Sequence, residues 1–170
     1  AGWYEAGVYK ALGLAWIEPE LRENQGEIEA ALKGKLPKLV ELKDIKGDLH
    51  THSKWNGGVN SIEEMAKVAK DLGYEYIGIS DHTKFLIIER GLDEKKLAQR
   101  DKEIDKLNSK LKDFKILKGA ETNILNDGSI DIRDDYLVKL DYVIAGVHSS
   151  FKMGKTEMTE RIIKAMKNPN

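Results

Sequence analysis

Gly47-Asp48-Leu49-His50-Thr51-His52-Ser53 is the stretch from which the rest of the chain can be read. It is short, with apolar and polar positions alternating, which is the pattern of a β-strand. Histidines two residues apart on a strand leave on the same face, so His50 and His52 point together to one side of a sheet.

A regular alternation continues downstream. Ser61 and Glu64 have capping-box spacing ahead of Met65, Val68, Ala69 and Leu72, which share a helical face, and Gly73 stops that helix. Tyr76 to Ser80 reads as a buried strand, Leu92 to Leu111 as a long polar helix, and Lys115 to Lys118 as a third strand. Asn126-Asp127-Gly128 is a turn, Tyr136 to Leu140 a short helix and Tyr142 to Val147 a fourth strand. Thr156 to Lys167 is a final helix before Asn168-Pro169. Strands alternating with helices predict a parallel sheet, and with it a (βα) barrel or part of one.

Upstream, residues 1–43 differ in texture. A helix stopping at Gly13, an extended stretch at Pro19 and a helical turn over Glu27 to Leu32 read as a linker or the end of a preceding domain. The opening Ala1-Gly2-Trp3 lacks an initiator Met, the expectation for a piece of a longer chain.

The chain has four histidines, and each falls at or just after the end of a predicted strand: His50, His52, His82 and His148. Glu121 follows the third strand. In parallel α/β folds sites form at that edge, where loops from several strands converge. One histidine in such a loop is ordinarily just a polar residue. Four at one edge, with a carboxylate, are a nitrogen and oxygen donor set suited to divalent metal. Asp48 and Asp81 are candidates to orient those ligands, although Asp81 could equally cap a turn.

Composition narrows the rest. Of 170 residues 41% are hydrophobic and 34% charged, which suits a folded domain and excludes disorder. A net charge of −1 gives no overall basic field, so contact with nucleic acid would have to be local. The charged residues read mainly as solvated helix faces. The absence of cysteine excludes disulfides, thiolate zinc sites and a cysteine nucleophile, and fits a reducing cytoplasm. No apolar run approaches the roughly 20 residues of a membrane span, and no signal peptide opens the chain. Neither a phosphate-cradling glycine loop nor a nucleophile elbow is found. Metal-assisted hydrolysis remains.

Gly47-Asp48-Leu49-His50-Thr51-His52-Ser53 resembles the first motif of the polymerase and histidinol phosphatase (PHP) superfamily. Ile79-Ser80-Asp81-His82-Thr83 is similar to the second, Gly119-Ala120-Glu121 to the third and Gly146-Val147-His148-Ser149 to the fourth. Four motifs in order are specific. Ser61 to Ala66, Gly73 to Ile77, Arg90-Gly91-Leu92-Asp93 and Phe151 to Met166 resemble the branch found in bacterial- or archaeal-type family X DNA polymerases, and Leu12 to Arg22 resembles the end of the polymerase thumb. The resemblance implies an α/β fold that is part of a distorted (βα)7 TIM-like barrel. The domain would start at residue 44, behind a thumb and linker segment over 1–43, and would be C-terminally truncated at about four of its seven units.

It also implies up to three Mn²⁺, Zn²⁺ or similar ions. His50, His52 and Glu121 would hold the first, Glu121 would bridge to a second bound by His148, and His82 would serve a third. The implied work is phosphoester hydrolysis at DNA 3′ ends, by an exonuclease or a 3′-phosphatase, within a repair polymerase. Two departures stand out. In Ser53-Lys54-Trp55-Asn56-Gly57-Gly58, Gly57 aligns with a usual aspartate and Asn56 is a weak substitute, so the third site is short of a ligand. The later Gly-His-Pro and Asp-x-His segments that complete the ion sites are not in this sequence. The alternatives are a non-catalytic domain supporting the polymerase and a small-molecule phosphatase like histidinol phosphatase. Lys84, Arg90 and Lys152 follow motif positions, and Arg90 is the first candidate for a phosphate contact.

Overall fold

A computed structural model describes residues 4–170; Ala1-Gly2-Trp3, read above as a mid-chain opening, lie outside the described residues. The chain divides into two compact units at Asp44/Ile45.

The first unit holds α1 (Glu5–Ala11) and α2 (Glu27–Leu32). Gly13 and Gly34, with φ of 71° and 64°, follow them in the left-handed conformation that ends helices. The extended stretch expected at Pro19 is instead a single 3₁₀ turn, Pro19–Leu21. Proline's fixed φ suits the first helical position as well as an extended one. Arg22 organises this unit. It donates to the Ile17 carbonyl at 3.0 and 3.1 Å and stacks 4.9 Å from the Trp16 ring, which itself meets Tyr9 edge-on.

The second unit carries β1 (Gly47–Thr51), α3 (Ile62–Asp71), β2 (Tyr76–Ile79), α4 (Glu94–Asn108), β3 (Lys115–Lys118), β4 (Glu121–Asn123), α5 (Asp134–Leu137), β5 (Ile144–Gly146) and α6 (Lys155–Met166). β1, β2 and β3 pair in parallel in that order, and β4 pairs in parallel with β5. β3 and β4 are two halves of one line of chain, interrupted at Gly119-Ala120. Before the break the line pairs with β2; beyond it Glu121 bridges His82, while β5 takes the other side. The sheets are parallel α/β, as expected, and neither closes on itself.

Helices α3 and α4 pack Ile62, Ala66, Ala69 and Ile104 onto Ile77, Ile79 and Ile116 of β2 and β3. A second cluster gathers Leu92, Leu97, Ile132, Tyr136 and Leu137, and Trp55 packs against both. The capping box at Ser61 and Glu64 is formed, with Ser61 accepting the Glu64 N–H and Glu64 accepting the Ser61 N–H. Gly78 within β2 and Gly119 at the break lack the side chains that would collide with the Tyr142 ring, whose hydroxyl donates to the Leu49 carbonyl at 2.7 Å. That close approach is why glycine stands at both positions.

Candidate metal centre

Four strand ends bring their polar residues to one point. His50 lies within β1, His52 just past it, His82 beyond β2, Glu121 at the start of β4 and His148 beyond β5. The register of β1 on β2 is irregular between Asp48 and Thr51, a local disturbance of the ladder of the kind found beside functional sites. Asp48 accepts the His50 N–H there at 2.8 Å.

The buried Glu121 carboxylate is the hub. Its Oε2 lies 2.9 Å from His50 Nε2, 3.3 Å from His52 Nε2 and 3.4 Å from His82 Nδ1, while Oε1 lies 3.1 Å from His148 Nε2. The rings of His52 and His82 stack at 4.6 Å. Two donor groups share the glutamate: His50, His52 and Glu121, and His82, Glu121 and His148. His82, which the resemblance assigns to a third ion, therefore stands with His148 in the second group.

The polar network around His148 fixes which of its nitrogens carries the proton. Asn123 uses its amide nitrogen on Asp131 and Thr83, so its Oδ1, 2.6 Å from His148 Nδ1, accepts from that nitrogen. His148 Nε2 is the nitrogen turned to Glu121, 3.1 Å from its Oε1. His52 Nδ1 and His82 Nδ1 are buried without hydrogen-bond partners. Burial pushes the His82 imidazole below the ordinary histidine value, against the opposing field of Glu121. Burial raises Glu121, but the His50 hydrogen bond and the fields of His82, His50 and His148 bring it below the usual carboxylate range. Four imidazoles around one carboxylate held below its usual range, with two buried imidazole nitrogens left unpartnered, are a donor set that a divalent cation satisfies. The residues fit a metal.

The outer residues divide. Asp81 bonds no histidine ring; it accepts the Ser53 N–H at 2.6 Å and hydroxyl at 2.9 Å and pairs with Arg100, and so holds the loop leaving His52. Asp48 likewise acts on backbone. Arg90 is exposed and lines a cleft with Lys54, Trp55 and Lys96. Lys84 is paired with Glu94 at 2.8 Å, and Lys152 is exposed.

Two contributors, Asn123 and Arg100, escaped the sequence reading, and Asn56 serves otherwise than as the weak substitute ligand expected of it. Asn123 orients His148; its signal is its spacing of two from Glu121 on one strand. Asn56 accepts the His82 N–H at 2.7 Å through a side chain that also donates to the Glu89 carbonyl. Arg100, fully buried, reaches Asp81 and the Gly119 carbonyl, and so ties together the segments that carry His82 and Glu121. Leu97 and Ile104, three and four residues to either side, mark its helix face as the buried one.

Residues 48–168, well over half the chain, match the family model described as PHP domain. The chain belongs to the PHP domain family. This PHP domain is 43% identical over 164 residues to the DNA polymerase/3'-5' exonuclease PolX of Bacillus subtilis, an alignment covering 96% of the chain and 28% of that protein. It is 33% identical over 126 residues to a probable phosphatase of Acetivibrio thermocellus and 30% identical over 126 residues to one of Syntrophotalea carbinolica. Each of those two alignments covers 72% of the chain and 50% of the relative. The chain thus spans about half or less of the length of these curated relatives.

Proposed function

We propose that this PHP domain is a divalent-metal-dependent phosphoesterase acting on DNA 3′ ends, as an exonuclease or 3′-phosphatase, within a cytoplasmic family X DNA polymerase engaged in repair. Residues 1–43 then belong to the polymerase thumb and linker, and the parallel strands to a (βα)7 barrel. The observation that carries the reading is one buried carboxylate, Glu121, shared by two histidine groups drawn from four strand ends. Similarity to a polymerase/exonuclease over 96% of the chain supports DNA as the substrate, as does the cleft with Lys54, Arg90 and Lys96 for a polyanion.

His50, His52 and Glu121 would hold one ion, and His82, Glu121 and His148 another. When bound, such ions supply an activated water and neutralise charge on the attacked phosphate. The protein's own part is to present nitrogen lone pairs. Asn123 keeps the His148 proton on Nδ1, and Arg100 keeps the His82 and Glu121 segments in register.

The test is metal content by elemental analysis and hydrolysis of 3′-labelled oligonucleotides by the full-length protein, with His50→Ala and Glu121→Ala beside the wild type. Both substitutions are expected to lower bound Mn²⁺ or Zn²⁺ and to abolish cleavage; metal and turnover unchanged in both would sink the proposal. The phosphatase-named relatives favour a second reading, a small-molecule phosphatase. Turnover of a small phosphomonoester with no action on DNA ends would select it.

A further inference from the structure

We infer that Glu89 is a second carboxylate of the metal centre, supplied to the His82 side of the cluster from the loop between β2 and α4. This rests on the metal-dependent reading above.

The described donor groups contain four imidazoles and one carboxylate. Two divalent cations there would be met by a single negative charge, leaving an excess that another anion close by would lower. Asp48 and Asp81 do not supply it, since both are engaged elsewhere. Glu89, although its oxygens fall in neither donor group, stands on the side where that charge is missing. Asn56 joins the two segments, accepting the His82 N–H through Oδ1 and donating through Nδ2 to the Glu89 carbonyl. The Glu89 carboxylate lies over Gly57, where a Cβ would stand 3.5 Å from Oε2. Gly57, the position expected above to leave the His82 side short of an acid, thus opens onto a space that an acid from another part of the chain occupies. The field of Glu89, the least of those named on the His82 ring, raises its value as a nearby anion would.

The loop is built to hold that position. Its base is closed by the Leu92 N–H donating to the His82 carbonyl at 2.8 Å and by the Thr83–Leu92 bridge. Gly91 lies so close to the Thr83 backbone that no side chain fits. A 3₁₀ turn over Ile87–Glu89 and a left-handed Arg90 at φ 55° then set the Glu89 backbone at the loop's end. Glu89 is solvent-exposed and lies outside both hydrophobic clusters, so its replacement leaves the core intact.

Glu89→Gln keeps the shape and removes the charge. Mn²⁺ binding to the full-length protein, followed by elemental analysis and by the electron paramagnetic resonance of free Mn²⁺, is expected to weaken about tenfold or more in this variant. Gly57→Asp added to Glu89→Gln is expected to restore it, because an aspartate at 57 would enter the same space and tolerates the local φ of 76° better than most residues. Wild-type Mn²⁺ affinity in Glu89→Gln, with metal still lost in His50→Ala, would overturn the inference and leave the metal centre standing. A weakened Glu89→Gln that Gly57→Asp fails to improve would also overturn it. No metal in the wild type would remove the reading on which it rests.

Discussion

Glu121 is one negative charge among four imidazoles, and the site's chemistry depends on where the protons around it sit. His148 is the clearest case, because Asn123 has only its carbonyl oxygen left to offer the ring. A ligand histidine whose other nitrogen loses its partner typically weakens metal binding by about 10- to 100-fold. Asn123→Leu is therefore expected to lower Mn²⁺ affinity by roughly that factor, measured by calorimetric titration of the full-length protein; an unchanged affinity would mean that the ring is held by other contacts. The meeting of these side chains at one edge was legible in the sequence, since two histidines on one strand and an acid behind another need only strand periodicity to be placed. Asn123, Arg100 and the role of Asn56 were not. Each acts through a partner 19 to 33 residues away along the chain, and no local pattern announces such a pairing. The charge of Arg100 counted as solvated surface until α4 turned it inward.

At the scale of elements, strand and helix positions followed from periodicity and caps, but the split of one line of chain into β3 and β4 did not. At that break the Tyr142 ring packs against Gly119, a contact between residues distant in the chain that no local pattern announces. Turns were easier. Asn126-Asp127-Gly128 is a turn in the structure, its Gly128 N–H donating to the Leu125 carbonyl at 2.8 Å. Asp127 accepts the Ser129 N–H at 3.0 Å and hydroxyl at 2.6 Å, and Lys164 of α6 donates to its carbonyl at 2.7 Å. Chiefly the Ser129 hydrogen bonds bring the Asp127 carboxyl down from 3.8 to about 2. A depressed folded-state value means that the stability it contributes is present above pH 3.8 and is lost as pH falls through about 2. Urea midpoints of wild type and Asp127→Asn are expected to differ above pH 4 and to converge towards pH 2. A constant gap across that range would show that the carboxylate's charge plays no part in holding the turn.

Across the 45–170 unit, Glu121 joins segments far apart in sequence, its contact with His50 spanning 71 residues. An ion in either group is therefore a cross-link between strand ends that hydrogen bonds alone join only in part, since the three-stranded and two-stranded sheets stay open. A ligand that binds the folded state and not the unfolded one raises stability by about 2.7 kcal/mol at a hundredfold excess over its dissociation constant. Saturating Mn²⁺ is accordingly expected to raise the melting temperature of the full-length protein's PHP transition by several degrees, and a chelator to reverse the gain. Glu121→Gln is expected to cancel most of the gain, because both donor groups lose their shared anion. His50→Ala is expected to remove only part, because His82, Glu121 and His148 remain. Differential scanning calorimetry with and without metal checks the order. Equal metal-induced shifts in wild type and Glu121→Gln would mean that the ion binds elsewhere, and that the four histidines meet for reasons of packing alone.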